Sequence, residues 1–410
     1  MLRCPIFIAG LIMIMSPALA RGAEFRIVPS LAVKGEYNNN ILLLEDDIKE
    51  DFISTISPGI EIADRTERSD TNIELRINRV DYAHNREFNS TDQAYRGRLR
   101  YLLTPLFVIS ADAGYLRDSR PDRDIETTGI VLSDEIRHQI TSSLSSDYQL
   151  TEKTAAGLSY GYSRNEFEGQ TELGKDTSHD ANIRLVHDLG AYVPMLKGTM
   201  NAGYSYYYAQ DSRIRSVMGT IGVSRDIDEV WSVLVDGGVR RTWSEISVTR
   251  PEPVYDYSLG FPVQTGNRLV EERVKNADWG WVGQVSLNYD GERGQGNFSY
   301  SRAIQPAIGQ GGAVERNALT LSTWYRLIPD ISLLFTADYY TNKSEASEFS
   351  AQEIDQGGFR LRPGVRYEFS KDMTAEASYD YADYANGVSG TETGRHLVSV
   401  RFYVQHPFLN

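Results

Sequence analysis

The chain has 410 residues, of which 41% are apolar and 11% aromatic, with 42 basic against 56 acidic side chains and a formal charge of −14. A mean hydropathy of −0.39 excludes a bundle of membrane helices, the apolar content excludes a disordered chain, and the acidic balance makes nucleic acid a poor partner. Twenty-five Tyr and 34 Gly beside a single cysteine, Cys4, are the composition of an outer-membrane or secreted β protein with no disulfide, thiolate metal site or cysteine nucleophile.

The first twenty residues read as an export signal. Arg3 supplies the positive start, residues 6–15 an apolar run, and Ala18-Leu19-Ala20 a small-x-small cleavage site. The run is too short to span a bilayer core of roughly 30 Å. Cys4 precedes it, so a lipoprotein anchor does not fit. The expected organisation is a signal peptide over 1–20 and one β domain over 21–410. Without Arg3 the balance is 41 basic against 56 acidic residues, or −15.

From Phe25 onward apolar and polar residues alternate, the period of a strand with two unlike faces. About eighteen such segments follow, with 16 to 18 plausible. They begin near Phe25, Phe52, Asn72, Gln93, Phe107, Arg137, Thr154, Ser178, Leu196, Ser216, Trp231, Asp278, Gln295, Glu315, Ile331, Gly357, Thr374 and His396. Short turns at 104–106, 150–153, 226–229, 290–294, 329–330 and 371–372 are interleaved with longer polar loops at 38–51, 117–135, 167–177, 248–275, 305–314, 342–356 and 385–393. Short turns at one end and long loops at the other suit an even-stranded barrel. A sandwich would also alternate. However, Tyr95, Tyr101, Tyr160, Tyr162, Tyr204, Tyr206, Tyr208, Trp279, Trp281, Tyr289, Tyr379 and Tyr381 fall on the apolar face near segment ends, where interfacial girdles place aromatics. The fold class expected is therefore all-β, a transmembrane antiparallel up-and-down β-barrel in the cell outer membrane. In the last segment Val398, Val400, Phe402, Val404 and Phe408 share one side, and its aromatic end is the kind of signal read by the barrel assembly machinery. Here Leu409 and Asn410 follow Phe408.

The opening strand P-S-L-A-V-K-G-E-Y, then N-N-N-I-L-L-L, an acidic loop and D-F-I-S-T-I-S-P-G-I-E-I, resembles the start of the β-barrel porin 2 family. Tyr37, Asn38, Asn39, Asn40, Ile41, Pro58 and Gly59 carry the resemblance, which covers about a tenth of the chain. It implies a Gram-negative outer-membrane protein and a role beside polysaccharide-export systems.

Six histidines are scattered, with no H-E-x-x-H, H-x-H or G-x-S-x-G pattern. His179 and Asp180 are adjacent in sequence and so should point to opposite faces. No catalytic residue, metal site or cofactor is expected. The polar face carries the functional signal. Arg76 on the third strand and Arg96, Arg98 and Arg100 on the fourth share it with Arg360, Arg362 and Arg366 on the sixteenth and Arg401 on the last. Barrel closure should gather them on one wall, with Glu36, Glu61, Glu74, Asp112, Asp147, Asp180, Asp236, Asp338, Glu376 and Asp380 sharing or facing it. These arginines either brace the wall as salt bridges or form a charged constriction that selects solutes. The longest loop, 248–275, is either folded inward as an eyelet or exposed at the surface.

The function expected is a passive, water-filled channel for polar solutes. The alternatives are the conduit of an exopolysaccharide export system, with polysaccharide or periplasmic export components as partners, and a structural or adhesive surface barrel. Outer-membrane lipid is the partner common to all three.

Overall fold

In a computed structural model of the chain the described residues are 24–120, 135–169, 175–209, 211–258, 260–308 and 310–408. The expected leader, residues 1–20, lies outside them. Eighteen strands follow in order among the described residues: β1 (Glu24–Asn38), β2 (Asp51–Arg65), β3 (Ser69–Tyr82), β4 (Ser90–Thr104), β5 (Phe107–Asp118), β6 (Arg137–Thr151), β7 (Thr154–Phe167), β8 (Lys175–Asp188), β9 (Leu196–Ala209), β10 (Ser212–Asp226), β11 (Trp231–Asp256), β12 (Val263–Gly291), β13 (Gly294–Pro306), β14 (Ala313–Ile328), β15 (Ile331–Ser344), β16 (Ile354–Ser370), β17 (Met373–Asn386) and β18 (Thr391–Gln405). Each pairs antiparallel with its sequence neighbours. β1 also pairs with β18, from Ser30 opposite Gln405 to Asn38 opposite Leu397, so the sheet closes, with the outer ends of β12 and β13 left unpaired to each other beyond Gly283 and Arg302. Apart from that gap, each strand's backbone pairs on both sides within the sheet, which a strand-built membrane span requires.

The two faces are fixed by register, because a slip of one residue would exchange them. On β18 the side chains of Val398, Val400, Phe402 and Val404 point outward and are 43–50% exposed, while Leu397 and Ser399 between them are buried on the inner face. The same holds for Val217, Ile221 and Val223 on β10 and for Val235 and Val239 on β11. An apolar surface of this extent, on a sheet with no other layer against it, is solvated by lipid. Interfacial side chains recur about ten residues apart on one strand, as with Trp279 and Tyr289 on β12 or His396 and His406 near the end of the chain. That spacing is roughly 33 Å of strand, or about 25 Å of height once the strand tilts by about 40°. At the long-loop end the outward girdle is fastened by tyrosine–histidine pairs. Tyr115, Tyr160 and Tyr379 hydroxyls lie 2.9, 2.7 and 2.6 Å from Nδ1 of His138, His179 and His396 on the neighbouring strands. His179 faces outward and Asp180 inward, as their adjacency requires.

Two departures from simple alternation have physical causes. Pro58 donates no ladder hydrogen bond, and the pairing of β2 with β3 skips from Ile56 to Gly59. The segment 248–275 is neither an eyelet nor an irregular loop. β11 and β12 stay paired up to Asp256 opposite Val263, well past the last β10 partner at Ile246, so the two strands project beyond the rim as an exposed hairpin. β12 accordingly begins at Val263, fifteen residues before the start expected from alternation. Both faces of the hairpin are wet, so nothing there selects an apolar period.

Candidate functional site

The inward face divides into two zones. Towards the long-loop end its side chains are buried by segments that fold over them. Asn38, Asn39 and Asn40 stitch the first such segment to the β1–β18 seam. The Asn39 side-chain oxygen accepts from the His396 backbone N–H at 2.7 Å, and Asn40 Nδ2 donates to Leu44 O at 2.8 Å and to Gly394 O at 3.3 Å. Ile41 then packs with Ile53, Val80 and Tyr82, and Leu43 with Tyr384 across the mouth. The Asn-Asn-Asn-Ile pattern is therefore a polar clamp followed by an apolar anchor.

The second segment, residues 345–353, takes the inward path that was one of the two readings of 248–275. It reaches across the interior, with Phe349 fully buried against Tyr207, Ala209, Ile214 and Ala313. Ala313 N–H donates to Phe349 O at 2.9 Å, Ser350 Oγ donates to Gly311 O at 2.9 Å, and Ser244 Oγ on β11 donates to Glu348 O. Gly312, at φ +101°, allows the approach, since a Cβ there would lie 2.3 Å from Phe349 O. β12 pairs with β13 only between Gly283 and Gly291, and the freed outer ends of β13 and β14 lean inward behind β11. Glu315 is thereby brought onto Arg240 and Arg302, the latter at 2.5 Å, and the Arg240 guanidinium lies 5.2 Å from the Phe349 ring.

The arginines named from the sequence lie on one continuous wall, β16–β17–β18–β1–β2–β3–β4–β5, as closure requires. Their settings differ. Arg360 is buried: its Nε lies 2.9 and 3.1 Å from the two Asp380 oxygens, Arg395 joins at 3.2 Å and Arg362 at 2.9 Å, so three guanidiniums share one carboxylate. Arg366 holds Glu376 at 2.9 Å. Arg96 lies 3.0 Å from Asp112 and Arg98 3.5 Å from the same oxygen. Arg401 lies over the Tyr403 ring at 5.7 Å. Among the described residues Arg76, Arg100 and Arg401 have no carboxylate in ion-pair contact. Arg76, Arg96, Glu61, Glu74 and Asp112 line a recess of about 440 Å³ in this wall. A second, of about 770 Å³, holds Arg362, Arg366 and Glu376. Facing the arginines, β6 to β10 present Thr141, Ser143, Ser145, Ser159, Asn182, Asn201 and Thr220, with Asp147 and Asp180 among them.

Sequence reasoning passed over Arg137, Arg240, Arg316 and Arg395, which are all buried on the inner face. An inward arginine that meets a folded-in segment looks in sequence like one that meets water. Only the run of small and apolar residues in the segments themselves, Ile41 to Leu44 and Phe349, marks them as covers.

The closed sheet, its outward apolar band and its charged interior define a transmembrane β-barrel of the outer membrane. No family model matches the chain, and no curated relative matches it. Among solved structures, the outer membrane channel DcaP of Acinetobacter baumannii is 10% identical, with 94% of this chain and 98% of that one covered and a TM-score of 0.44. OpdO of Pseudomonas aeruginosa is 10% identical over 94% and 98%, at 0.45. A loop-deletion mutant of OmpT, an outer membrane protein of Vibrio cholerae, is 11% identical over 93% and 99%, at 0.41.

Proposed function

We propose that the barrel is a passive diffusion channel for small polar solutes, biased towards anions by its arginine wall. The observation that carries this is the crowding of several guanidiniums onto shared carboxylates along the wall. Asp112 is shared by two arginines and Asp380 by three, while among the described residues Arg76, Arg100 and Arg401 make no ion pair, although Asp70 and Glu376 stand opposite the last two in register. In a water-filled pore with low-dielectric walls, guanidiniums that line the ion's path set a local positive potential whatever the net charge of the chain. Much of the acidity lies elsewhere, as with Glu45, Asp46, Asp47 and Glu50 on the first outer segment. The segment 345–353 across the interior argues for small solutes over a polysaccharide chain. The Asn-Asn-Asn-Ile clamp and Pro58-Gly59 support placing the chain beside the β-barrel porin 2 family.

Swelling of liposomes that contain the purified barrel tests this reading. A sugar acid should enter several-fold faster than an amino sugar of equal size, and changing Arg76, Arg100 and Arg401 together to Ser should bring the two rates together. Equal rates in the unmodified protein are incompatible with the proposal.

A further inference from the structure

The outward surface at the long-loop end carries basic residues of two kinds. Most are neutralised by a neighbouring carboxylate: Arg79 by Asp81, Arg164 and Lys175 by Glu166, and Arg117 by Glu168. Arg213 and Arg215 on β10 and Arg241 on β11 are not. Among the described residues they make no ion pair and lie against aromatic faces instead. Arg213 lies 5.7 Å from the Tyr208 ring, Arg215 5.9 Å from Tyr206, and Arg241 5.0 and 5.2 Å from Trp243 and Trp279. Register puts the three side by side, since Arg215 stands opposite Trp243 and Val217 opposite Arg241. Among the described residues the carboxylate nearest them in register is Glu245 opposite Arg213, which is held by Lys275 at 3.1 Å and feels the charges of Arg213 and Arg215 at longer range.

Their height is fixed by the band below them. On β10 Arg215 and Arg225 bracket Val217, Gly219, Ile221 and Val223, and on β11 Arg241 and Trp231 bracket Val233, Val235, Gly237 and Val239. Each bracket is about ten residues, one crossing. The unpaired cations therefore sit where hydrocarbon gives way to headgroups. Beneath them Gly219 and Gly237 face outward with open space beyond, so the wall is low between Ile221 and Val239.

We propose that this face of β9 to β12 binds a phosphorylated, multiply acylated glycolipid of the outer leaflet. Its phosphate would lie on Arg213, Arg215 and Arg241, its sugars on Tyr206, Tyr208 and Trp279, and its acyl chains along the low apolar wall. Guanidinium forks match phosphate oxygens, and an aromatic face under each guanidinium presets its plane. A second copy of this chain is the poorer occupant, because two such faces repel. The site rests on the membrane placement of the barrel and not on its conducting solutes.

Native mass spectrometry of the detergent-solubilised barrel tests it, with bisphosphorylated lipid A, dephosphorylated lipid A and phosphatidylglycerol as probes. The bisphosphorylated form should stay bound, and R213S/R215S/R241S should weaken it by about tenfold or more, while R164S leaves it unchanged. Heat-dependent gel mobility reports whether each variant is folded. Equal retention of the dephosphorylated form or of phosphatidylglycerol by the unmodified protein, undiminished binding by the folded triple variant, or a two-chain species in place of a lipid adduct would overturn the assignment.

Discussion

Asp380 is the residue on which the outer part of the arginine wall depends. It is buried, and so are Arg360 and Arg395, two of the three guanidiniums it holds. Removing it takes away the carboxylate that these like charges share in a buried setting, a change that costs about 3–5 kcal/mol. Asp380→Ala should lower stability by that amount in denaturant unfolding from lipid vesicles. Arg366→Ser, which breaks a half-exposed pair with Glu376, should cost about 1 kcal/mol or less. Asp51 makes a second residue-level case, at the rim outside the hydrocarbon. Burial alone would raise its pKa, but the backbone and side chain of Asn85 and the N–H groups of His84 and Phe52 donate to its carboxylate and hold it down at about 2. A depressed carboxylate stabilises the fold above its unfolded pKa, near 3.8, and that contribution disappears as pH falls towards 2. The amount is about 2 kcal/mol. Protection of the His84 and Asn85 amides, relative to their intrinsic exchange at each pH, should therefore fall between pH 4 and pH 2 in the unmodified protein, and should already be low at pH 5 in Asp51→Ala.

At the scale of the element, the faces of β18 give the sharpest contrast. Val400 and Phe402 point into lipid and Arg401 into the interior. Val400→Arg or Phe402→Arg should each reduce folding free energy by roughly 2–4 kcal/mol at mid-membrane depth, whereas Arg401→Ser should fold normally. Refolding yield into vesicles, read by heat-dependent gel mobility, separates these outcomes. Residues 345–353 form a segment that reaches across the interior. Replacing Phe349 with Gly removes its apolar anchor, and single-channel conductance should rise while barrel yield is kept. An unchanged conductance would show that this segment lies off the path of the ions. Strands were legible in the sequence wherever one face meets lipid, because only there does a period of two carry an energy difference of several kcal/mol per pair. The faces of β18 and β16 are therefore read correctly, although the strands start at Thr391 and Ile354 and not near His396 and Gly357. The projecting hairpin was not legible: Glu271, Glu272, Arg273 and Lys275 put charge on both faces of β12, as expected of a ribbon wet on both sides. Nor was the inward path of Phe349, a single aromatic in a polar run, since its partners Tyr207 and Ile214 are over a hundred residues away.

At the scale of the molecule, closure does what no single strand can. Pairing of β1 with β18 puts arginines from strands some three hundred residues apart on one wall, and this followed from counting strands and noting faces. What could not be counted was the share of each carboxylate. Arg360 and Arg100 look alike in sequence, yet one lies in a buried cluster and the other has no acidic partner among the described residues. The acidic chain thus encloses an arginine-lined wall, and selectivity is set by the charges nearest the ion's path. The reversal potential of single channels in a planar bilayer, under a tenfold potassium chloride gradient, tests this most directly. An open channel should give a potential of the sign for chloride preference, and changing Arg76, Arg100 and Arg401 to Ser should move it towards zero with the barrel intact. A cation-selective potential from the unmodified protein, or no conductance from a fully folded preparation, is incompatible with an anion-biased diffusion channel.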